Sequence, residues 1–179
     1  RDFERSYDYE PLSLSSSELE RVDMPQSIKK SILDTHLKRS HIPAMTKYSE
    51  ELMVLLNSMG LCIRPPVLRT IGPSLMAEAF NVLYGCETDE DGLLAVAERV
   101  INLQHLFNLE QGQNFGDYHF PERFYAEGAD YMGGTREPLD RHKVENMVRE
   151  YFYLRGWDEE GNVKQETMKR LGIQQWMKR

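Results

Sequence analysis

Cysteine is nearly absent from this chain: Cys62 and Cys86 are its two instances in 179 residues, and neither belongs to a Cys-x-x-Cys pair. Two cysteines do not make a disulfide framework and point to a reducing compartment. The five histidines, His36, His41, His105, His119 and His142, are scattered, and no His-Glu-x-x-His occurs. No complete metal site therefore follows from local spacing. An excess of basic residues is also missing. A net charge of −7 with a pI near 5.3 argues against non-specific binding to nucleic acid or to an anionic membrane. No apolar run is long enough to span a bilayer, and no charged-then-apolar leader opens the chain, so a cytoplasmic protein is expected. No segment alternates with period two for long enough to make a convincing strand.

What is present reads as helix. With 40% hydrophobic and 28% charged residues, the chain can bury one substantial core. The expected architecture is all-α: one multihelical, non-repetitive domain. Residues 1 to 14 read as an extended arm, and Ser15-Ser16-Ser17-Glu18 as a capping box for a short helix ending before Pro25. Ile28, Ile32, Leu33 and Leu37 mark one face of a helix to about Ser40. Ser74 is suited to cap a helix with Leu75, Ala79, Val82 and Leu83 facing inward, ending at Gly85. A longer helix is expected from Asp89 to Gln111, apolar on more than one face and largely buried, with Arg99 and Asn102 needing partners inside. Residues 113 to 138 are rich in glycine, proline and aromatics and read as a packed, ordered loop with a helical turn near Pro121. Asp140 caps a further helix ending at Gly156, and a last one runs from about Lys164 to Leu171.

The stretch with most chemical content is Asn57-Ser58-Met59-Gly60-Leu61-Cys62. It ends a helix read from Thr46, the expected N-cap, with Tyr48, Leu52, Leu55, Leu56 and Met59 at helical spacing. Gly60 supplies the positive φ of a helix terminus, and Pro65-Pro66 forbids continuation. Cys62 thus sits on a stiffened turn, the kind of support a metal-bound thiolate needs. A lone cysteine after an apolar helix is otherwise a small buried hydrophobe. Cys86, in a turn without an evident partner, reads as structural, and His36 and His41 read as polar residues at a helix terminus.

Several runs in fixed order resemble a known family. They are Ala97-Glu98-Arg99-Val100-Ile101-Asn102-Leu103-Gln104-His105-Leu106-Phe107-Asn108, Gly112, Phe120-Pro121-Glu122-Arg123-Phe124, Tyr151-Phe152-Tyr153-Leu154-Arg155-Gly156-Trp157-Asp158 with Gly161, and Leu171-Gly172. Together they resemble the C-terminal part of the tungsten-dependent aldehyde:ferredoxin oxidoreductases, from about residue 46 to 173. In that family a helix ends with Asp-x-x-Gly-Leu-Cys, matched here by Asn57 to Cys62, with Asn57 in place of the aspartate. The resemblance implies that Cys62 is the fourth thiolate on a four-iron four-sulfur cluster and that Asn57, Gly60 and Leu61 belong to a segment meeting a tungsten- or molybdenum-bound bis-pterin. Asparagine offers a neutral amide where the family has a charged acceptor. No catalytic residue is assigned, because the family histidine near the metal has no clear match; His36 and His41 are weak candidates.

The resemblance further implies that residues 1–179 are the C-terminal helical domain of a longer protein whose pterin-base and cysteine-rich domains lie upstream. The opening Arg1-Asp2-Phe3-Glu4-Arg5, which looks like neither an initiator region nor a signal sequence, fits that expectation. The expected partners are those upstream domains, ferredoxin or another electron-transfer protein, and a second copy through the parent; neither nucleic acid nor membrane is expected. The isolated chain is expected to bind neither cofactor and to be inactive. The competing reading is a cofactor-free helical protein-interaction domain with Cys62 buried in a closed core and the loop 113 to 138 as its binding surface.

Overall fold

The computed structural model describes residues 23–34, 39–62, 71–131 and 134–177. The expected arm at 1–14, the helix capped at Ser15, His36, Leu37 and Pro65-Pro66 lie outside these residues. Seven α-helices are described: α1 (Gln26–Ile32), α2 (Ile42–Ser58), α3 (Pro73–Tyr84), α4 (Glu90–Glu110), α5 (Arg123–Ala126), α6 (Arg141–Arg155) and α7 (Gln165–Leu171). The domain is all-α in class. Among the described residues the strands form two short antiparallel pairs, β1 (Leu33–Asp34) with β2 (Arg39–Ser40), and β3 (Ala129–Tyr131) with β4 (Gly134–Arg136). In the second pair Ala129 faces Arg136 and Tyr131 faces Gly134. Runs of two or three residues are too short to show a period-two pattern in sequence.

Helix α2 is the central element. It packs against α4 on one side and α6 on another, while α3 lies on α4 and α1 on α2. Tyr48, Leu52, Leu55 and Leu56 of α2 share one buried cluster with Ile32, Met76, Leu93, Leu94 and Ala97. A second cluster, Phe152, Trp157, Val163, Met168, Leu171 and Ile173, closes the C-terminal end. No helix of the described residues is long and apolar enough to cross a membrane.

Several boundaries correct the sequence expectations. The first helix stops at Ile32, not near Ser40, because the β1–β2 pair turns the chain back and the His41 amide bonds the Ile32 carbonyl at 2.6 Å. Helix α2 begins at Ile42, ahead of Thr46. Pro43 lies in its first turn, where a missing N–H leaves nothing unsatisfied, and the N-cap is His41, whose Nδ1 accepts the Ala44 amide at 3.3 Å. Helix α3 presents a different face from the one expected: Pro73, Met76 and Ala77 are buried, whereas Val82 and Leu83 are 85% and 72% exposed. Its first turn is held by Asp23, whose carboxylate accepts from the Gly72 and Leu75 amides and from the Ser74 hydroxyl. Ser74 therefore donates to the cap without being the cap.

Helix α4 matches its expected bounds, with Asp89 Oδ1 accepting the Gly92 amide at 2.8 Å. It is less buried than expected, since Val96 and Phe107 face solvent. Asn102 is fully buried and satisfied: its Nδ2 donates to the Glu98 carbonyl and its Oδ1 accepts from Trp157 Nε1 at 2.8 Å. Arg99 is exposed along its side chain yet reaches the Leu171 carbonyl at 2.7 Å. The stretch 113–138 is ordered by a 3-10 turn at Phe115–Tyr118, by α5 and by the β3–β4 pair.

Candidate functional site

The turn after α2 carries the sequence-predicted site. Met59 caps the helix, Gly60 follows at φ 70°, the Gly60 amide donates to the Asn57 carbonyl at 3.2 Å and the Leu61 amide to the Leu56 carbonyl at 2.8 Å. This paired bonding is a Schellman motif, which satisfies carbonyls that a helix end would leave unpaired. Leu61 packs back on the core cluster, so the corner is held by backbone bonds and by apolar burial together. The sequence placed Gly60 for this reason, since a side chain at positive φ is disfavoured. The structure adds the anchoring by Leu61.

Cys62 leaves this corner as a free, exposed thiol. Asn57 and Gly60 are exposed beside it, and Leu61 is half-buried. Expected burial of Cys62 in a closed core, the mark of a plain interaction module, is not what the geometry gives. Cys86 is also a free, exposed cysteine, directly after the αL residue Gly85 at the end of α3, and so has no part in a core. Among the described residues no group of three or more His, Cys, Asp or Glu side chains converges to hold a metal. A centre containing Cys62 would need its other ligands from beyond them. The exposed thiol on a fixed corner suits one position of such a centre.

Earlier along α2 lies a polar cluster that sequence reading missed. Arg155, the last residue of α6, is fully buried and uses its donors on α2: Nη1 bonds Glu51 Oε1 at 2.7 Å, Nη2 bonds the Lys47 carbonyl at 3.1 Å and the Glu50 carboxylate, and Nε meets the Tyr151 hydroxyl at 3.2 Å. Lys47 Nζ adds a second cation to Glu51 Oε1 at 2.6 Å. Burial opposes the charge on Arg155, but Tyr151, Glu51 and Glu50 around it hold its pKa above the ordinary value. Burial pushes the Tyr151 phenol up, and Glu50 adds to the rise. A signal was available: Glu50, Glu51 and Arg155 each fall among apolar positions of their helices, and a charge on such a face needs a partner.

The expected weak histidine candidate His41 is fully engaged in structure. It caps α2 through Nδ1 and bonds Glu150 through Nε2 at 3.1 Å, so the ring carries its proton on Nε2. His105, not singled out by sequence, is buried. Its Nε2 donates to the Gly161 carbonyl at 2.6 Å, its Nδ1 accepts from the Tyr118 hydroxyl at 3.3 Å, and its ring stacks on Trp157 at 3.5 Å. Burial lowers its pKa, against the Gly161 hydrogen bond and with the help of Arg155. The ring is a neutral structural hinge between α4 and the loop 156–163.

Among the described residues this is a helical domain with two free, exposed cysteines, Cys62 on the corner after α2 and Cys86 after α3. Comparison with known proteins gives the family of this domain. The family model described as "Aldehyde ferredoxin oxidoreductase, domains 2 & 3" matches residues 5–173, and the chain belongs to this family. Among curated proteins it is similar to tungsten-containing aldehyde ferredoxin oxidoreductases of Pyrococcus horikoshii, 28% identical over 72% of the chain, and of Pyrococcus furiosus, 30% identical over 69%. In each case it spans 20% of the relative's length. Among solved structures it is similar in fold to a chain of the active site complex BamBC of benzoyl coenzyme A reductase, with a TM-score of 0.63 and 15% identity, covering 96% of this chain and 28% of that one.

Proposed function

We propose that this chain is the C-terminal helical domain of a longer tungsten-pterin and iron–sulfur oxidoreductase, in which Cys62 is one thiolate ligand of a four-iron four-sulfur cluster. The observation that carries the reading is the exposed Cys62 on its Schellman corner, inside a family match that extends over residues 5–173. Asn57, Gly60 and Leu61 form the backbone corner that would face the pterin. In such a parent a tungsten-pterin would supply the redox chemistry toward an aldehyde-like substrate, and the cluster would carry electrons to ferredoxin or a similar carrier in oxidation and from it in reduction.

This chain's own contribution is mechanical and electrostatic. Leu61 and the Leu55–Leu56 pair fix the corner to the core, so the backbone that leads to Cys62 is held up to Leu61, which would lower the reorganisation that binding demands. Asn57 offers both a carbonyl acceptor and an amide donor toward a neighbouring ring. The remaining cluster ligands would come from the upstream domains, which are also the partner that shields the centre from water.

The test is anaerobic co-expression of the chain with the upstream part of its parent, followed by iron, sulfide and tungsten analysis of the purified assembly. Co-purification with both metals supports the reading. A stable assembly with neither, or no assembly with folded partners, contradicts it.

A further inference from the structure

A cavity of about 200 Å³ opens between the N-terminal half of α2, the 3-10 turn and α6. Ile42, Val144, Met147 and Val148 make its apolar wall, and Glu50, Tyr118 and Tyr151 bring polar groups to it. Its lining does not include the candidate cluster ligand Cys62. Glu50, the lining residue nearest to Cys62 in sequence, lies eight positions before the end of α2, about 12 Å along the helix at 1.5 Å per residue. An apolar cavity of roughly 150 Å³ accepts a benzene ring, so a single ring or a short aliphatic chain fits this one.

The polar side of the cavity is directional. Glu50 Oε2 is occupied by the Tyr151 hydroxyl at 2.7 Å and by Arg155. Oε1 takes no hydrogen bond from any described residue, and the Glu50 side chain is 42% exposed. The Tyr118 hydroxyl donates to His105 Nδ1, which leaves its oxygen lone pairs as acceptors; burial pushes its pKa up to about 12, with Glu50 nearby adding to the rise. The charged side chain in the lining, Glu50, is an acceptor, and Thr46 adds a hydroxyl that can both donate and accept. Around it Glu145 and Glu150 pair with His119 and His41, and Arg149 lies over the Phe115 ring and 4.0 Å from Glu159, so among the described residues these nearby cationic groups are already partnered.

We propose that this cavity binds a small molecule with a one-ring or short aliphatic body and a hydrogen-bond-donating head, an alcohol or a protonated amine, seated on Glu50 Oε1. The shape comes from the α2 and α6 side chains and the head-group preference from Glu50, whose position is fixed by Arg155 and Tyr151. The binding is independent of Cys62 and of any cofactor.

The test is a methyl-resolved NMR titration of the 179-residue chain with benzyl alcohol, benzylamine and benzoate, each used as the probe itself. The expected result is saturable shifts at the Ile42, Val144, Met147 and Val148 methyls for the alcohol and the amine, with nuclear Overhauser contacts from the ring to those methyls, and binding of benzoate weaker by about tenfold or more. Val148→Phe, which fills the space, weakens both donors by about tenfold or more. Glu50→Gln, which keeps an acceptor but not the charge, lowers amine binding more than alcohol binding. Absence of saturable shifts at these methyls in the wild-type chain overturns the proposal whether or not either variant folds. So does benzoate binding as tight as that of benzyl alcohol, or unchanged binding by folded Val148→Phe.

Discussion

Arg155 of α6 and Glu51 of α2 form a 2.7 Å ion pair in which the guanidinium side chain is 0% and the carboxylate side chain 2% exposed. Removing one member of such a pair leaves a buried, uncompensated charge, which costs about 3–5 kcal/mol. Arg155→Ala is therefore expected to lower unfolding free energy by about that amount in urea titration. Glu51→Gln, which keeps an oxygen for Arg155 Nη1, is expected to cost less. Equal and small losses, below about 1 kcal/mol, would place the pair among screened surface bridges.

His105 sets an acid-side limit on stability. Its folded pKa is depressed, chiefly by burial, so below about pH 6.5 the unfolded chain binds more protons than the folded one and stability falls as pH drops. Above that value this group contributes no slope. Glu98 adds a second, lower window. Burial raises its pKa, but the two Arg170 hydrogen bonds at 2.7 and 2.8 Å outweigh burial and depress it, so its contribution is lost as pH falls below about 4.3 and through the lowered folded value. Denaturation midpoints from pH 8 to about pH 2 should therefore stay level and then decline in both windows. His105→Gln should flatten the upper decline and leave the lower one.

Two glycines at positive φ separate backbone strain from steric clash. At Gly60 a Cβ would meet nothing within 4 Å, so Gly60→Ala carries only the αL penalty of about 1–2 kcal/mol. At Gly156, φ 72°, the same Cβ would come within 2.1 Å of Thr167 Oγ1, whose hydroxyl donates to the Gly156 carbonyl at 2.8 Å. Gly156→Ala is expected to be the more damaging change, with a lower thermal midpoint than Gly60→Ala. Equal midpoints would mean that the α6–α7 corner relaxes freely.

The face of α3 gives a test in which sequence and structure disagree. Val82, with 85% of its side chain exposed, should accept lysine with a change within about 0.5 kcal/mol. Met76, at 1% exposure in the core cluster, should lose about 2–5 kcal/mol as alanine. The reverse order would restore the face read from Leu75, Ala79, Val82 and Leu83.

That disagreement shows where sequence was legible. Glycine stops and some caps were readable because they are local: Asp89, Asp140, Gly85, Gly156 and Gly172 sit where their residue types require, whereas Thr46 and Ser74, equally suited to cap, do not cap their helices. The corner from Asn57 to Cys62 belongs to the same class, and its Schellman bonds follow from one glycine and one leucine. The inward face of α3 was not readable, because apolar residues occur on both sides of that helix and its packing on α4 selects Met76 and Ala77. The end of α1 was hidden for another reason. Its periodicity continues through Leu33, while the β1–β2 pair that stops it depends on Leu33 pairing with Ser40, seven positions further on. The Arg155 cluster and the His105–Trp157 stack join residues about 50 to 108 positions apart, a separation to which helical periodicity is blind.

The role of Cys62 is tested most directly by comparing Cys62→Ala with Cys86→Ala in the assembly formed with the upstream domains, counting iron and acid-labile sulfide per chain under anaerobic conditions. Both cysteines are exposed and free, so loss of a surface thiol as such is matched between the two. Iron and sulfide should fall in Cys62→Ala and remain at the wild-type level in Cys86→Ala, with both variants folded. Wild-type iron in a folded Cys62→Ala would show that this thiol is not a cluster ligand.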